Sequence, residues 1–231
     1  MKKLYEKYHH VLPILVYAVI YLAWFRYIEV HGADRYRVIH MALDDRIPFI
    51  EYFVIPYYIW FAYIIAIVVY LMIFDKEKKG YYNCITFMIS GMTVFLVIST
   101  LFPNIQHLRP YVVPTDNICG RLVKYMYSID TPTNLWPSIH VYNSIAAYIA
   151  VAHDKRLGAN KWINGGCLIL SVSIILSTVF IKQHSLFDVM TAFIMAAIVY
   201  VLVYRLDVIV SMREAYRVKH EEKEKAFNLI K

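Results

Sequence analysis

Residues 163–206, INGGCLILSVSIILSTVFIKQHSLFDVMTAFIMAAIVYVLVYRL, hold two apolar runs, 163–181 and 186–206, joined by a short polar link that contains Lys182 and His184. About 20 apolar residues cross a hydrocarbon core of about 30 Å, so each run has spanning length. Asp188 stands four residues after His184, which predicts that both lie on one helical face within hydrogen-bonding reach. An aspartate inside a membrane helix costs about 2.5–3.5 kcal/mol on insertion scales, so such a group has a partner and a purpose. His184 is the natural partner. The carboxylate would fix the imidazole tautomer and stabilise its charged form, as a nucleophilic or acid–base histidine requires. A purely structural buried pair is the competing reading, and a metal site lacks third and fourth ligands nearby.

Outward from this pair, four more apolar runs occupy roughly 11–28, 52–74, 82–102 and 139–153, the last being the shortest. With 60% hydrophobic and 18% charged residues, the chain does not read as an ordinary soluble domain. The expected fold is all-α: a polytopic membrane protein with six transmembrane helices in one domain, 1–231, with a short N-terminal segment 1–10 and a charged tail 211–231. Lys2, Lys3 and Lys7, the 75–79 link, the 154–161 link and the tail concentrate Lys and Arg on one side of that topology. The positive-inside rule then places both termini in the cytoplasm, and the plasma membrane is the expected location. The net charge of +7 reads as topology and affinity for anionic lipid, with no nucleic acid as partner. Lysines before the first run mimic a signal peptide, but Trp24, Phe25 and Tyr27 stand where small cleavage-site residues belong, so a retained helix is expected. Cys84, Cys119 and Cys167 are too few and scattered for a disulfide framework or a zinc site.

The opposite, non-cytoplasmic side receives the 29–51 and 103–137 loops and the link at 182–185. Prolines 103, 110, 114, 132 and 137 predict a stiff path for the longer loop. Arg109 within it can grip two phosphate oxygens and stays charged at any working pH; snorkelling to headgroups is its alternative use. Pro137 suits the first turn of a helix, which places Ser138 and His140 where free N–H groups and the helix dipole favour an anion. There Ser138 can donate to a phosphate or merely cap the helix, and His140 can protonate a leaving oxygen. His107 is ambiguous, two residues from Arg109. These groups together suit phosphoryl transfer at a membrane surface.

These residues resemble the type 2 phosphatidic acid phosphatase (PAP2) superfamily. Its signatures are a Lys, six residues and Arg-Pro; Pro-Ser-Gly-His; and Ser-Arg, five residues, His, three residues, Asp. Arg109-Pro110 matches the end of the first, Pro137-Ser138-Ile139-His140 the second with Ile for Gly, and Ser177, His184 and Asp188 the third. Asp44-Asp45-Arg46-Ile47-Pro48-Phe49 is similar to the segment before the second helix in many members. Two cations depart: the first-motif lysine falls on Phe102 and the third-motif arginine on Thr178. In both respects, and at Ile139, the chain looks closer to the inositolphosphorylceramide and sphingomyelin synthase branch. If the fifth helix continues past Thr178, Lys182 lies on the same face four residues later and can replace a missing cation; an interface anchor is the equal alternative.

The resemblance implies a PAP2-like helical bundle and a lipid phosphate as substrate. His184, held by Asp188, would attack phosphorus and form a phosphohistidine. His140 would serve as acid and then base, and Arg109, Ser138, Ser177 and Lys182 would bind the phosphate, with no metal and no cofactor. Water as acceptor makes a lipid phosphatase, the leading expectation; a lipid hydroxyl makes a headgroup phosphotransferase. A catalytically silent phospholipid-binding protein is the alternative of another class. The paired histidines speak against it, because a binder has no use for them.

Overall fold

The computed structural model describes residues 11–207; the N-terminal segment 1–10 and the tail 211–231 lie outside the described residues. Among the described residues seven α-helices follow in order: α1 (Leu12–His31), α2 (Val54–Phe74), α3 (Lys79–Leu101), α4 (Ile118–Ile129), α5 (Ile139–His153), α6 (Lys161–Phe180) and α7 (Leu186–Tyr200). A π-helical turn, Val201–Arg205, continues α7. Side-chain caps mark several starts: Asn117 for α4, Ser138 for α5, Asn160 for α6 and Ser185 for α7 each accept a backbone N–H of the first turn.

Among the described residues, five helical segments are long and apolar enough to cross a membrane: Leu12–His31, Glu51–Phe74, Lys79–Leu101, Lys161–Phe180 and Leu186–Arg205. They leave large side chains such as Val19, Phe61, Ile169 and Ile194 uncovered. The sixth expected span, α5, has 15 residues, about 22 Å of helix at 1.5 Å per residue, and falls short of that length. Its ends agree with the apolar run read from the sequence.

Helix α5 makes up for its length by centrality, packing against α2, α3, α6 and α7. Small residues Ala146, Ala147 and Ala150 let its neighbours approach. Against α3 the fit is tight. A Cβ at Gly91 would lie 2.1 Å from the ring of Tyr142, whose hydroxyl donates to the Phe87 carbonyl at 2.8 Å. Deeper in the core, Tyr63 and Ser171 share a hydrogen bond of 3.1 Å, and Ser171 donates to the Ser144 carbonyl at 3.2 Å.

The two loops predicted on one side are ordered against each other. β1 (Arg37–Val38) and β2 (Asn104–Ile105) pair in parallel, and Asn104 Oδ1 accepts the N–H groups of Leu135 and Trp136 at 2.9 and 3.2 Å. Within 103–137, expected as loop throughout, the structure places α4. Its N-cap Asn117 is an ordinary helix-start signal, and Val123 and Met126 are buried on one face while Leu122 and Tyr125 are exposed on the other. At the opposite end, Lys79 pairs with Asp207 at 2.5 Å, tying the start of α3 to the chain just after α7.

Candidate active site

Three segments meet at the loop-bearing end: the start of α5, the link between α6 and α7, and the start of α2. The link departs from the continuous helical face expected of it. α6 stops at Phe180, and Lys182 takes a left-handed φ of 54°. The N–H groups of Gln183 and His184 then both donate to the Thr178 carbonyl at 2.9 Å. Ser185 opens α7 in a capping box: its hydroxyl oxygen accepts the Phe187 N–H at 3.1 Å, and Asp188 Oδ2 accepts the Ser185 N–H at 3.2 Å. His184 therefore sits just before the helix, and the capping turn, not a shared helical face, brings it to Asp188.

Nδ1 of His184 lies 3.1 Å from Oδ2 of Asp188, both residues being almost fully buried. Gln106 donates through Nε2 to the same carboxylate oxygen, so Oδ2 gathers three donors. With Nδ1–H directed at the carboxylate, Nε2 of His184 is left as the basic nitrogen. It faces Nδ1 of His140 at 3.4 Å. The hydrogen-bond network thus assigns the proton between the rings to His140. His140 is held from its other side by aromatic rings of α2, with Tyr57 at 4.6 Å and Trp60 at 4.3 Å between ring centroids.

Arg109 completes the arrangement from the long loop. Its guanidinium lies over the Tyr127 ring at 4.5 Å and donates to Gln183 Oε1 at 2.9 Å and to the Tyr127 carbonyl at 3.3 Å. Burial draws its pKa below the usual value, and the charge of Asp130 opposes that shift. Its buried Nε meets no acceptor among the described residues, nor does the buried Nε1 of Trp60 beside His140. Gln183 also donates through Nε2 to Asp130 Oδ2, which accepts the Tyr57 hydroxyl at 3.0 Å. Burial pushes the Asp130 carboxyl above its usual range, against the pull of the Tyr57 hydrogen bond and the positive charge of Arg109.

The remaining expected phosphate-binding residues stand apart from this pair. Ser138 is buried as the N-cap of α5, its Oγ accepting the Val141 N–H at 3.3 Å, and Pro137 precedes the cap instead of starting the helix. Ser177 is fully buried and donates back to the Ile174 carbonyl at 2.6 Å. Thr178 does the same to Ile175 at 2.7 Å. Because α6 ends at Phe180, the condition that would carry Lys182 onto the face of Thr178 is not met. Its ammonium donates to the Asp44 carbonyl at 2.6 Å, while the Asp44 carboxylate takes the Ser185 hydroxyl at 2.6 Å and the Leu186 N–H at 2.8 Å. Phe102 is exposed beneath the Arg37 guanidinium, 4.9 Å away, and His107 is exposed.

Sequence reasoning missed Gln106, Gln183, Asp130, Tyr57 and Trp60. Gln106 lies three residues before Arg109 and Gln183 directly before His184, so nearness to a motif was their only signal. Asp130, Tyr57 and Trp60 carried none.

An apolar groove of about 680 Å³ runs beside the site between α3 and α7, from Trp136 and Pro137 at its head past Val94 and Ile194 to Leu202. Trp136 Nε1 donates to Thr191 Oγ1 at 2.9 Å across its head, one residue before Pro137 and three after Asp188.

The family model of the PAP2 superfamily matches residues 81–209. That is more than half of the chain and includes Arg109, His140, His184 and Asp188, so the chain belongs to the PAP2 superfamily. Membership implies phosphatase-type activity. No curated protein and no solved structure matches the chain.

Proposed function

We propose that this member of the PAP2 superfamily is an integral membrane lipid phosphatase that works through a phosphohistidine. The carrying observation is the line Asp188–His184–His140, with separations of 3.1 and 3.4 Å. One imidazole is oriented by a carboxylate, and its basic nitrogen faces a second, proton-bearing imidazole. Substrate phosphate enters beside this pair. Nε2 of His184 attacks phosphorus, the bond from phosphorus to the leaving oxygen breaks, and His140, entering this step as the imidazolium, passes one proton to that oxygen. His140, now neutral, takes a proton from water as the water oxygen attacks the phosphohistidine, which frees His184 and releases phosphate. Arg109, whose buried Nε lacks an acceptor, neutralises the phosphate oxygens, with Ser138 and Ser177 as the further binding residues the family motifs suggest. No cofactor or metal enters this sequence.

The substrate is a phospholipid or isoprenoid lipid carrying a phosphomonoester or pyrophosphate. The apolar groove beside Pro137 supports it, being open to a hydrocarbon chain whose phosphate reaches the histidines. In this reading the chain crosses the membrane six times, α5 serving as the short span buried among the others. Both termini face the cytoplasm, and the site opens on the non-cytoplasmic face of the plasma membrane.

A second reading, headgroup phosphotransfer as in the inositolphosphorylceramide and sphingomyelin synthase branch, draws on one observation. The positions of two family cations hold Phe102 and the buried Thr178, so less positive charge faces the phosphate. Phosphate release from a panel of lipid phosphates by purified protein in detergent with EDTA, beside His184→Ala, tests the proposal. Histidine-dependent, EDTA-resistant release is expected. Transfer between added lipids without release would favour the second reading, and neither activity would leave the silent binding protein.

A further inference from the structure

A polar cavity of about 410 Å³ lies at the end of the bundle opposite the histidine pair, between the start of α3, the π-helical turn after α7 and the links 75–78 and 154–160. Its wall holds buried polar atoms with nothing to bond. Oδ1 of Asn83, a residue only 5% exposed, and the hydroxyl of Tyr204 meet no partner among the described residues. A buried acceptor without a donor is costly, and a ligand that brings the donor relieves that cost.

The charges of the lining balance: Lys76, Lys79, Lys155 and Arg156 against Asp75, Glu77, Asp154 and Asp207. Part of this charge is already used. Lys79 pairs with Asp207. The Asp75 carboxylate accepts the N–H groups of Lys78 and Tyr81 at 3.1 and 2.9 Å, and that of Asp154 accepts those of Arg156 and Leu157 at 2.9 and 2.8 Å. Left without partners among the described residues are the cationic heads of Lys76, Lys155 and Arg156, the Glu77 carboxylate and the two buried atoms. The charged heads belong to exposed residues and Asn83 is buried, so the cavity leads from a charged rim to an acceptor inside.

We propose that this cavity binds the headgroup of a phospholipid that carries a phosphate diester and a primary ammonium. The singly charged phosphate meets the rim cations. The ammonium brings three N–H donors, one for Asn83 Oδ1 and others for the Tyr204 oxygen and Glu77. A headgroup of zero net charge leaves the four-to-four balance as it is, whereas an anionic one adds a charge with no counterpart. A quaternary ammonium has no N–H to offer Asn83. The cavity lies where the spanning segment Glu51–Phe74 ends and Lys79–Leu101 begins, which is headgroup depth, so the phosphate is that of a lipid and not a free ester. The acyl chains stay outside, against the uncovered apolar side chains of the spanning helices. None of this depends on the phosphatase reading.

The test gives purified protein in detergent an equimolar mixture of phosphatidylethanolamine, phosphatidylcholine and phosphatidylglycerol with the same acyl chains, and counts the retained lipids by native mass spectrometry. Soluble glycerophosphoethanolamine is offered in a parallel run. The expected result is retention of the ethanolamine lipid about tenfold over the other two, with that preference reduced in Asn83→Leu and in Glu77→Gln. Arg156→Gln, which removes a rim cation, should lower retention of the ethanolamine and choline lipids alike. Glu77 and Arg156 are exposed, so their variants should keep the wild-type thermal midpoint and carry the test where Asn83→Leu does not fold. Equal retention of the three lipids, or preference for phosphatidylglycerol, would overturn the proposal. So would an ethanolamine preference that persists in both Glu77→Gln and Asn83→Leu. Binding of soluble glycerophosphoethanolamine without preference for the lipid would make the ligand a free ester and overturn the assignment to a phospholipid.

Discussion

His184 and Asp188 are joined by a helix cap. The carboxylate that lies 3.1 Å from Nδ1 of the imidazole also accepts the Ser185 N–H at 3.2 Å and so closes the first turn of α7. Orientation of the proposed nucleophile and the start of a helix thus depend on one buried oxygen. Asp188→Asn keeps the size of the group and part of the cap but can present an amide N–H to Nδ1, which favours the wrong tautomer. Turnover should fall on the order of 10³- to 10⁴-fold, with circular dichroism and thermal midpoint close to wild type.

Gln106 gives that carboxylate its third donor from outside the helix pair. A hydrogen bond to a charged group contributes about 1.5–3 kcal/mol, so Gln106→Leu should lower kcat by about ten- to a hundredfold. KM should change little, since Gln106 acts through Asp188. A change confined to KM would place Gln106 on the substrate instead.

Lys182 separates two uses of one cation. With its ammonium 2.6 Å from the Asp44 carbonyl and the Asp44 carboxylate holding Ser185 and Leu186, Lys182→Met should reduce thermal stability, by about 1.5–3 kcal/mol for the charged hydrogen bond, and leave KM within about threefold of wild type. A KM rise of about tenfold or more without loss of stability would make it a phosphate ligand in place of the missing motif cations.

The groove between α3 and α7 should act on chain length. Ile194 is exposed in its wall, and Ile194→Trp should lower kcat/KM for a long-chain lipid phosphate about tenfold, as expected when apolar contact worth 1–3 kcal/mol is lost. A short-chain, water-soluble phosphate should be turned over as by wild type.

Gly91 is a point of close contact between α3 and α5. Gly91→Ala forces a methyl group into the Tyr142 ring, and overpacking of this kind costs about 1–3 kcal/mol. Detergent-solubilised protein should unfold at a lower temperature. Tyr142→Leu in the same chain should restore part of the loss.

Much of this was legible in the residues, for identifiable reasons. Runs such as 52–74 and 163–181 have no competing pattern, and α2 and α6 lie on them. The pairing of His184 with Asp188 is visible in their spacing, but its cause is not: Ser185 and Asp188 also spell a capping box, and that local chemistry breaks the helix at the site. Lys182 looked like a possible replacement cation only while α6 was assumed to continue. The amphipathic helix α4 was hidden by the prolines around it, although Asn117 marked its start. Asp130, Gln106 and the aromatic clasp of Tyr57 and Trp60 on His140 depend on contacts between distant segments, such as Tyr57 with Asp130, which no local pattern encodes.

The central claim is that His184 carries the phosphoryl group. The most direct measurement is rapid quenching of the purified protein during turnover of a lipid phosphate, followed by mass-spectrometric mapping of the labelled residue. The account predicts an acid-labile phosphoryl group on His184 in the wild-type protein and none in His184→Ala, which should be inactive. Phosphate on another residue, or turnover that persists in His184→Ala, would contradict it.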